Sequence, residues 1–158
     1  MGALILYPPD RSGVLRVPGV ADYPARVSVY AVAGAPGVRV HVADLGLACC
    51  AVEFTAALGR GLLVPVADGD PGQARVLVVS GTVTDALAPA VLAAWEEMPE
   101  PKVAMSFGAC SNSGGPYWDS YSVTKGVDQV LPVRSYVPGC PPRPEALVDA
   151  IVQLAESA

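Results

Sequence analysis

Charged side chains are scarce in this 158-residue chain: Asp, Glu, Lys and Arg together make 16% of it, where an ordinary soluble domain has about 25%. No cluster of Lys and Arg occurs, and the net charge is −5. A surface that tracks nucleic-acid phosphates needs such a cluster, so that class of function is excluded. No apolar run approaches the ~18 residues needed to span a bilayer. The opening "MGALILYPPDR" is too short for a signal peptide and lacks its basic start. A cytosolic chain is therefore expected, with any membrane association supplied by partners. Histidine occurs once, at His41, in the middle of an expected strand, where packing or plain exposure is its ordinary role. With so little charge, part of the surface is expected to be covered by something else.

Glycine and proline are the reverse case. Sixteen of each make about a fifth of the chain, against roughly 12% on average. They fall between apolar runs and form no repeat, which points to shaped loops around a single well-buried core. Residues 1–37 are the least readable, although "RVSVYAVAG" has β-type composition. From Val38 the pattern sharpens. "VRVHVADLG" reads as a strand, and "GLACCAVEFTAALG" as the helix that follows it, stopped at Gly59. "LLVPV" reads as a short strand and "DGDPGQ" as a loop. "RVLVVSG" is a near-continuous β-branched run of the kind buried on both faces of a parallel sheet. Between Asp85 and Met98, Leu87, Val91 and Trp95 share one helical face, and "MPEP" ends that helix. "KVAMSFG" and "QVLPV" read as two further strands. A last helix starts near Pro144, with Leu147, Ile151 and Leu154 on its apolar side. Strands alternating with helices over short connections predict an α/β domain with a mainly parallel sheet.

The chain has four cysteines: Cys49 and Cys50 side by side, then Cys110 and Cys140. Each follows an expected strand, so all four are expected at the carboxyl edge of the sheet, where such folds bind ligands. Adjacent side chains diverge on a strand or a helix, so a sharp backbone turn is expected between Cys49 and Cys50 if both serve one site. Four structural thiols are one reading, since buried free cysteine is a good small core residue. Disulfides fit poorly with a chain lacking a secretory signal. A zinc site normally takes two short C-x-x-C pairs, and only one local pair exists, with the wrong spacing. An iron–sulfur cubane takes one thiolate per iron and accepts widely separated ligands, so it fits the count and the placement best. "GACSNSGG" and "PGCPP" add glycine for close backbone approach and proline for stiff loops. "GACSNSGG" lacks the Lys-Ser/Thr ending of a phosphate-binding loop.

"GLACCAVE", "SGTVTDALAPAV", "MPEPKVAMSFGACSNSGG" and "YSVTKGVDQVLPVRSYVPGCPPRPEAL" closely resemble the B subunit of NADH-quinone oxidoreductase, respiratory complex I, the PSST-type subunit of mitochondria. The likeness runs from about Val38 to the C-terminus. [NiFe]-hydrogenase small subunits are related but normally separate the first two cysteines, so the tandem pair favours the complex I branch. The resemblance implies a flavodoxin-like, three-layer α/β domain over residues 38–158, after a variable segment at residues 1–37 that holds at most an extra strand. It also implies that Cys49, Cys50, Cys110 and Cys140 hold one terminal [4Fe–4S] cluster at the carboxyl edge of the strands. That cluster would reduce quinone in a cavity formed with a large D-type subunit. A ferredoxin-like I-type subunit and a membrane H-type subunit are the other implied partners. They would hold the chain peripherally at the cytoplasmic face of the cell membrane. The chain would then act in a proton-translocating NADH:quinone oxidoreductase and have no activity alone.

Glu53, in "CCAVE", matches an acidic position of the family motif near the quinone cavity and is the one catalytic candidate. Its ordinary reading is a helix carboxylate facing solvent. The family carries an arginine-rich stretch where this chain has "LGRGLLVPVADGDPGQAR", with only Arg60 and Arg75. Tyr117, Trp118 and Tyr121 follow the glycine loop and read as packing, a subunit contact or the rim of an electron path. The competing functions are a [NiFe]-hydrogenase-type small subunit, an FMN-binding flavodoxin-like module, and a scaffold that has lost its cluster. "ADLGLACC" lacks the Ser/Thr-rich phosphate loop that FMN would need, and a scaffold would not be expected to keep all four thiols.

Overall fold

A computed structural model describes residues 27–43, 48–66 and 74–157. Six strands form one sheet: β1 (Val27–Val32), β2 (Ala35–Ala43), β3 (Leu63–Pro65), β4 (Ala74–Ser80), β5 (Lys102–Phe107) and β6 (Val133–Val137). Their order across the sheet is β3-β1-β2-β4-β5-β6. The last four are parallel neighbours, whereas β1 runs antiparallel to both β2 and β3. The β-type composition of "RVSVYAVAG" is thus a real strand, turned back at Gly34 (φ +83°) into β2. β2 begins at Ala35, ahead of the expected start at Val38. The expected "DGDPGQ" loop lies outside the described residues.

Four helices complete the fold: α1 (Ala48–Gly59), α2 (Ala88–Glu97), the short α3 (Ala109–Ser113) and α4 (Pro144–Glu156). β4 shows why the molecule has three layers. Val76 and Val78 join one buried cluster while Leu77 and Val79 join another, because successive strand residues point to opposite faces. The first cluster holds Phe54 and Ala57 of α1 with Leu147, Ile151 and Leu154 of α4. The second holds Val91 of α2 with Met98, Val127 and Leu131. Both faces being covered, the strand runs could be continuously apolar. The expected three-layer α/β architecture is the one observed.

One strand lies elsewhere than expected. "QVLPV" is the end of a 3₁₀ turn at Val127–Gln129 followed by irregular chain, and the strand begins at Val133, where that segment ends. Its apolarity serves the core: Val127 and Leu131 are buried from a loop, against α2. Pro132 has no N–H to give a ladder, so pairing starts only beyond it.

Candidate functional site

The cysteines gather where parallel strands end. Cys49 and Cys50 open α1, after β2; Cys110 sits in α3, three residues beyond the end of β5; Cys140 follows β6 by three residues. Because β2, β4, β5 and β6 are parallel, these positions share the carboxyl edge of the sheet. None of the four thiols is in a disulfide; Cys50 and Cys110 are buried, Cys49 and Cys140 exposed. The sharp turn expected between Cys49 and Cys50 is absent, since both lie in the first turn of α1. The helix itself fans them apart, one to the interior and one outward, yet Cys49 still acts electrostatically on Cys50. A helix N-terminus carries partial positive charge and favours thiolates placed there.

Burial pushes the Cys50 thiol up to about 11, and the neighbouring Cys49 and Cys110 thiols push it the same way. A hydrogen bond from the Gly81 backbone N–H, at the end of β4, opposes them. Three chain segments thus converge on one sulfur. Two glycines make room for the thiols. A Cβ on Gly108 (φ +95°) would lie 2.5 Å from Cys50 Sγ, and one on Gly115 (φ +54°) would lie 2.9 Å from Cys110 Sγ. The two remote cysteine loops are joined by the Ala109 N–H, which donates to the Gly139 carbonyl at 2.7 Å. Among the described residues, no three or more His, Cys, Asp or Glu side chains are gathered as ligands of one metal ion.

Glu53 lies three residues beyond Cys50 on α1 and is half-buried. It lines an open cleft of about 440 Å³ between α1 and α4 with Arg60, Arg143, Glu145 and Asp149. Arg60 and Glu145 form an ion pair there. Arg143 and Asp149 were not singled out from sequence; the signal available was the position of Arg143, three residues after Cys140. Arg75 is at the other end of the molecule, near the start of β4, donating to the Glu100 carbonyl at 3.0 Å. It is therefore at the sheet edge opposite the thiols. Tyr117, Trp118 and Tyr121 are exposed, in the loop that follows α3. This fits the expectation of a subunit contact better than that of packing.

His41 is half-buried in β2, opposite Leu77 of β4. Burial, then the Arg75 charge, lowers its pKa below the ordinary 6.5. The folded state therefore prefers neutral imidazole. Its contribution to stability is complete above the unfolded pKa and is lost as pH falls through the folded value. An NMR titration of this sole histidine is expected to give a midpoint below 6.5, and a midpoint at or above it would contradict the burial argument.

With this geometry in view, the chain can be set beside known proteins. Residues 48–154 match the family described as NADH ubiquinone oxidoreductase, 20 Kd subunit. Of the two numbered B subunits of NADH-quinone oxidoreductase, the second from Streptomyces griseus is 62% identical over 121 residues, covering 73% of this chain and 51% of that protein. The chain thus spans about half the length of that relative. The first, from Salinispora tropica, is 53% identical over 148 residues, covering 90% of this chain and 77% of that protein. The Salinispora match is longer than residues 38–158, so the likeness reaches into the N-terminal segment. Among solved structures, a chain of an archaeal respiratory membrane complex, the membrane-bound sulfane sulfur reductase, matches with a TM-score of 0.60 and 32% identity. That match covers 74% of this chain and 67% of the other. The chain belongs to the family of the 20 kDa subunit of NADH ubiquinone oxidoreductase, the B subunit of complex I-type enzymes.

Proposed function

We propose that this chain carries one [4Fe–4S] cluster on Cys49, Cys50, Cys110 and Cys140 and is the electron-transfer subunit that delivers electrons to quinone. The observation that carries the reading is the meeting of the cysteine-bearing segments at one sheet edge, with Gly108 and Gly115 leaving space beside Cys50 Sγ and Cys110 Sγ. A cubane seats each thiolate on a different iron, so its ligands stand further apart than those of a single ion. When bound, the cluster supplies one-electron redox chemistry. The chain's own part is to hold it in a low-dielectric edge. The Gly81 N–H at Cys50 is the kind of hydrogen bond to ligand sulfur that tunes such a centre.

Glu53 is proposed as the acidic group at the rim of the quinone cavity, beside Arg143 in the α1–α4 cleft. The cavity would be completed by a large D-type subunit. A ferredoxin-like I-type subunit and a membrane H-type subunit are the further proposed partners. The exposed aromatics beyond α3, with exposed Val52 on α1, supply apolar surface suited to such contacts. Among the described residues no helix is long and apolar enough to cross a membrane. Peripheral attachment at the cytoplasmic face, through partners, is the placement proposed. Anaerobic reconstitution with iron and sulfide should yield about four of each per chain, measured by elemental analysis. Stoichiometric zinc without iron would sink the cluster reading.

A further inference from the structure

Behind the Cys110 loop lies a set of buried polar side chains that the cluster reading does not use. Ser106, in β5, and Ser111, in α3, are both wholly buried. Ser106 Oγ is 2.6 Å from Asn112 Oδ1 and 2.9 Å from Ser111 Oγ. A hydroxyl has one proton, and an amide oxygen can only accept. Ser106 therefore donates to Asn112 and accepts from Ser111. The other end of the same amide, Asn112 Nδ2, donates to the Val137 carbonyl at 3.1 Å. Val137 is the last residue of β6, and its carbonyl also accepts the Gly108 N–H at 2.9 Å.

We propose that Asn112 is a positioning residue, which sets Cys110 against Cys140 by clasping the end of β5 to the end of β6. The side chain sits two residues after Cys110, and its acceptor three residues before Cys140. It uses one acceptor and one donor in opposite directions, which an amide can do and an aliphatic or carboxylate side chain cannot. The bonds are shielded from water, so losing one partner leaves buried polar groups unsatisfied. The segment between Cys110 and the sheet would then be the part to loosen.

The inference rests on reading Cys110 and Cys140 as ligands of one cluster, but its first test needs no metal. The full chain, stripped of metal under anaerobic conditions, is pulsed with iodoacetamide, and each thiol is followed by peptide mass spectrometry. In Asn112→Ala, alkylation of buried Cys110 is expected to rise about tenfold while that of buried Cys50 holds, because only the local clasp has opened. Ser106→Ala, which removes one donor and keeps the bond to β6, is expected to raise it about threefold. Val91→Ala, on the far face of the sheet, should lower overall stability and leave the ratio of the two rates unchanged. Equal rises at Cys50 and Cys110, no rise at Cys110 in either clasp variant, or the same selectivity in Val91→Ala would each overturn the proposal. In reconstituted protein, Asn112→Ala should also alter the EPR line of the reduced sample, and a wild-type line would count against it. A wild-type chain that takes up no iron removes the cluster reading alone; the alkylation rates still decide the clasp.

Discussion

Cys49→Ala and Cys50→Ala are each expected to abolish the native EPR signal of the reduced protein, not merely to weaken it. Each change vacates one iron of a cubane that takes one thiolate per metal. The two positions have different alternatives, which sharpens the test. Cys50 is 2% exposed, so a purely packing role would cost only about 1 kcal/mol for the small cavity left by alanine. Cys49 is exposed, and a surface replacement without a role stays within about 0.5 kcal/mol. Loss of the signal on changing Cys49 therefore has no structural explanation. Cys110→Ala is the positive control. A normal spectrum from either tandem variant would refute the shared-cluster account and restore the hydrogenase-type reading.

Gly108→Ala is expected to cost stability as well as the site. Its φ of +95° is a conformation that side chains rarely adopt, and the added Cβ would meet Cys50 Sγ at 2.5 Å. Left-handed strain of about 1–2 kcal/mol adds to overpacking of about 1–3 kcal/mol, together roughly 2–5 kcal/mol. Gly61→Ala isolates the first contribution, since φ is +69° there but nothing lies within 4 Å of the added atom. Urea midpoints of the two variants should differ accordingly. Equal losses would mean that Gly108 matters for its backbone alone and that the sulfur needs no clearance.

Much of the architecture was legible because the chain alternates so plainly between β-branched runs and punctuated helices. The apolar faces predicted for α2 and α4 are the ones that pack, as at Val91 and Ile151. Where sequence and structure part, tertiary context overrules local pattern. The run ending at Pro132 is apolar because a loop is buried there, and apolarity without periodicity does not separate a loop from a strand. The bend expected at Cys49–Cys50 treats adjacency as an obstacle, although the first turn of a helix keeps two neighbouring thiols electrostatically in touch. The convergence of cysteines was visible from their places after strands. The clasp of Ser106, Ser111 and Asn112 was not, because Ser and Asn in a glycine-rich segment look like ordinary turn chemistry.

The cysteine-bearing segments come from strands that meet only when parallel partners far apart in sequence are in register, with ninety residues separating Cys50 from Cys140. Parallel pairing of this kind forms slowly, since long loops must close before any contact rewards them. Until then no pocket exists, and four unrestrained thiols are open to oxidation or to adventitious zinc. Maturation therefore has an order: the sheet closes first, and metal is delivered to an already folded chain. A newly made protein kept short of reductant would be lost at this stage, before any partner could receive it.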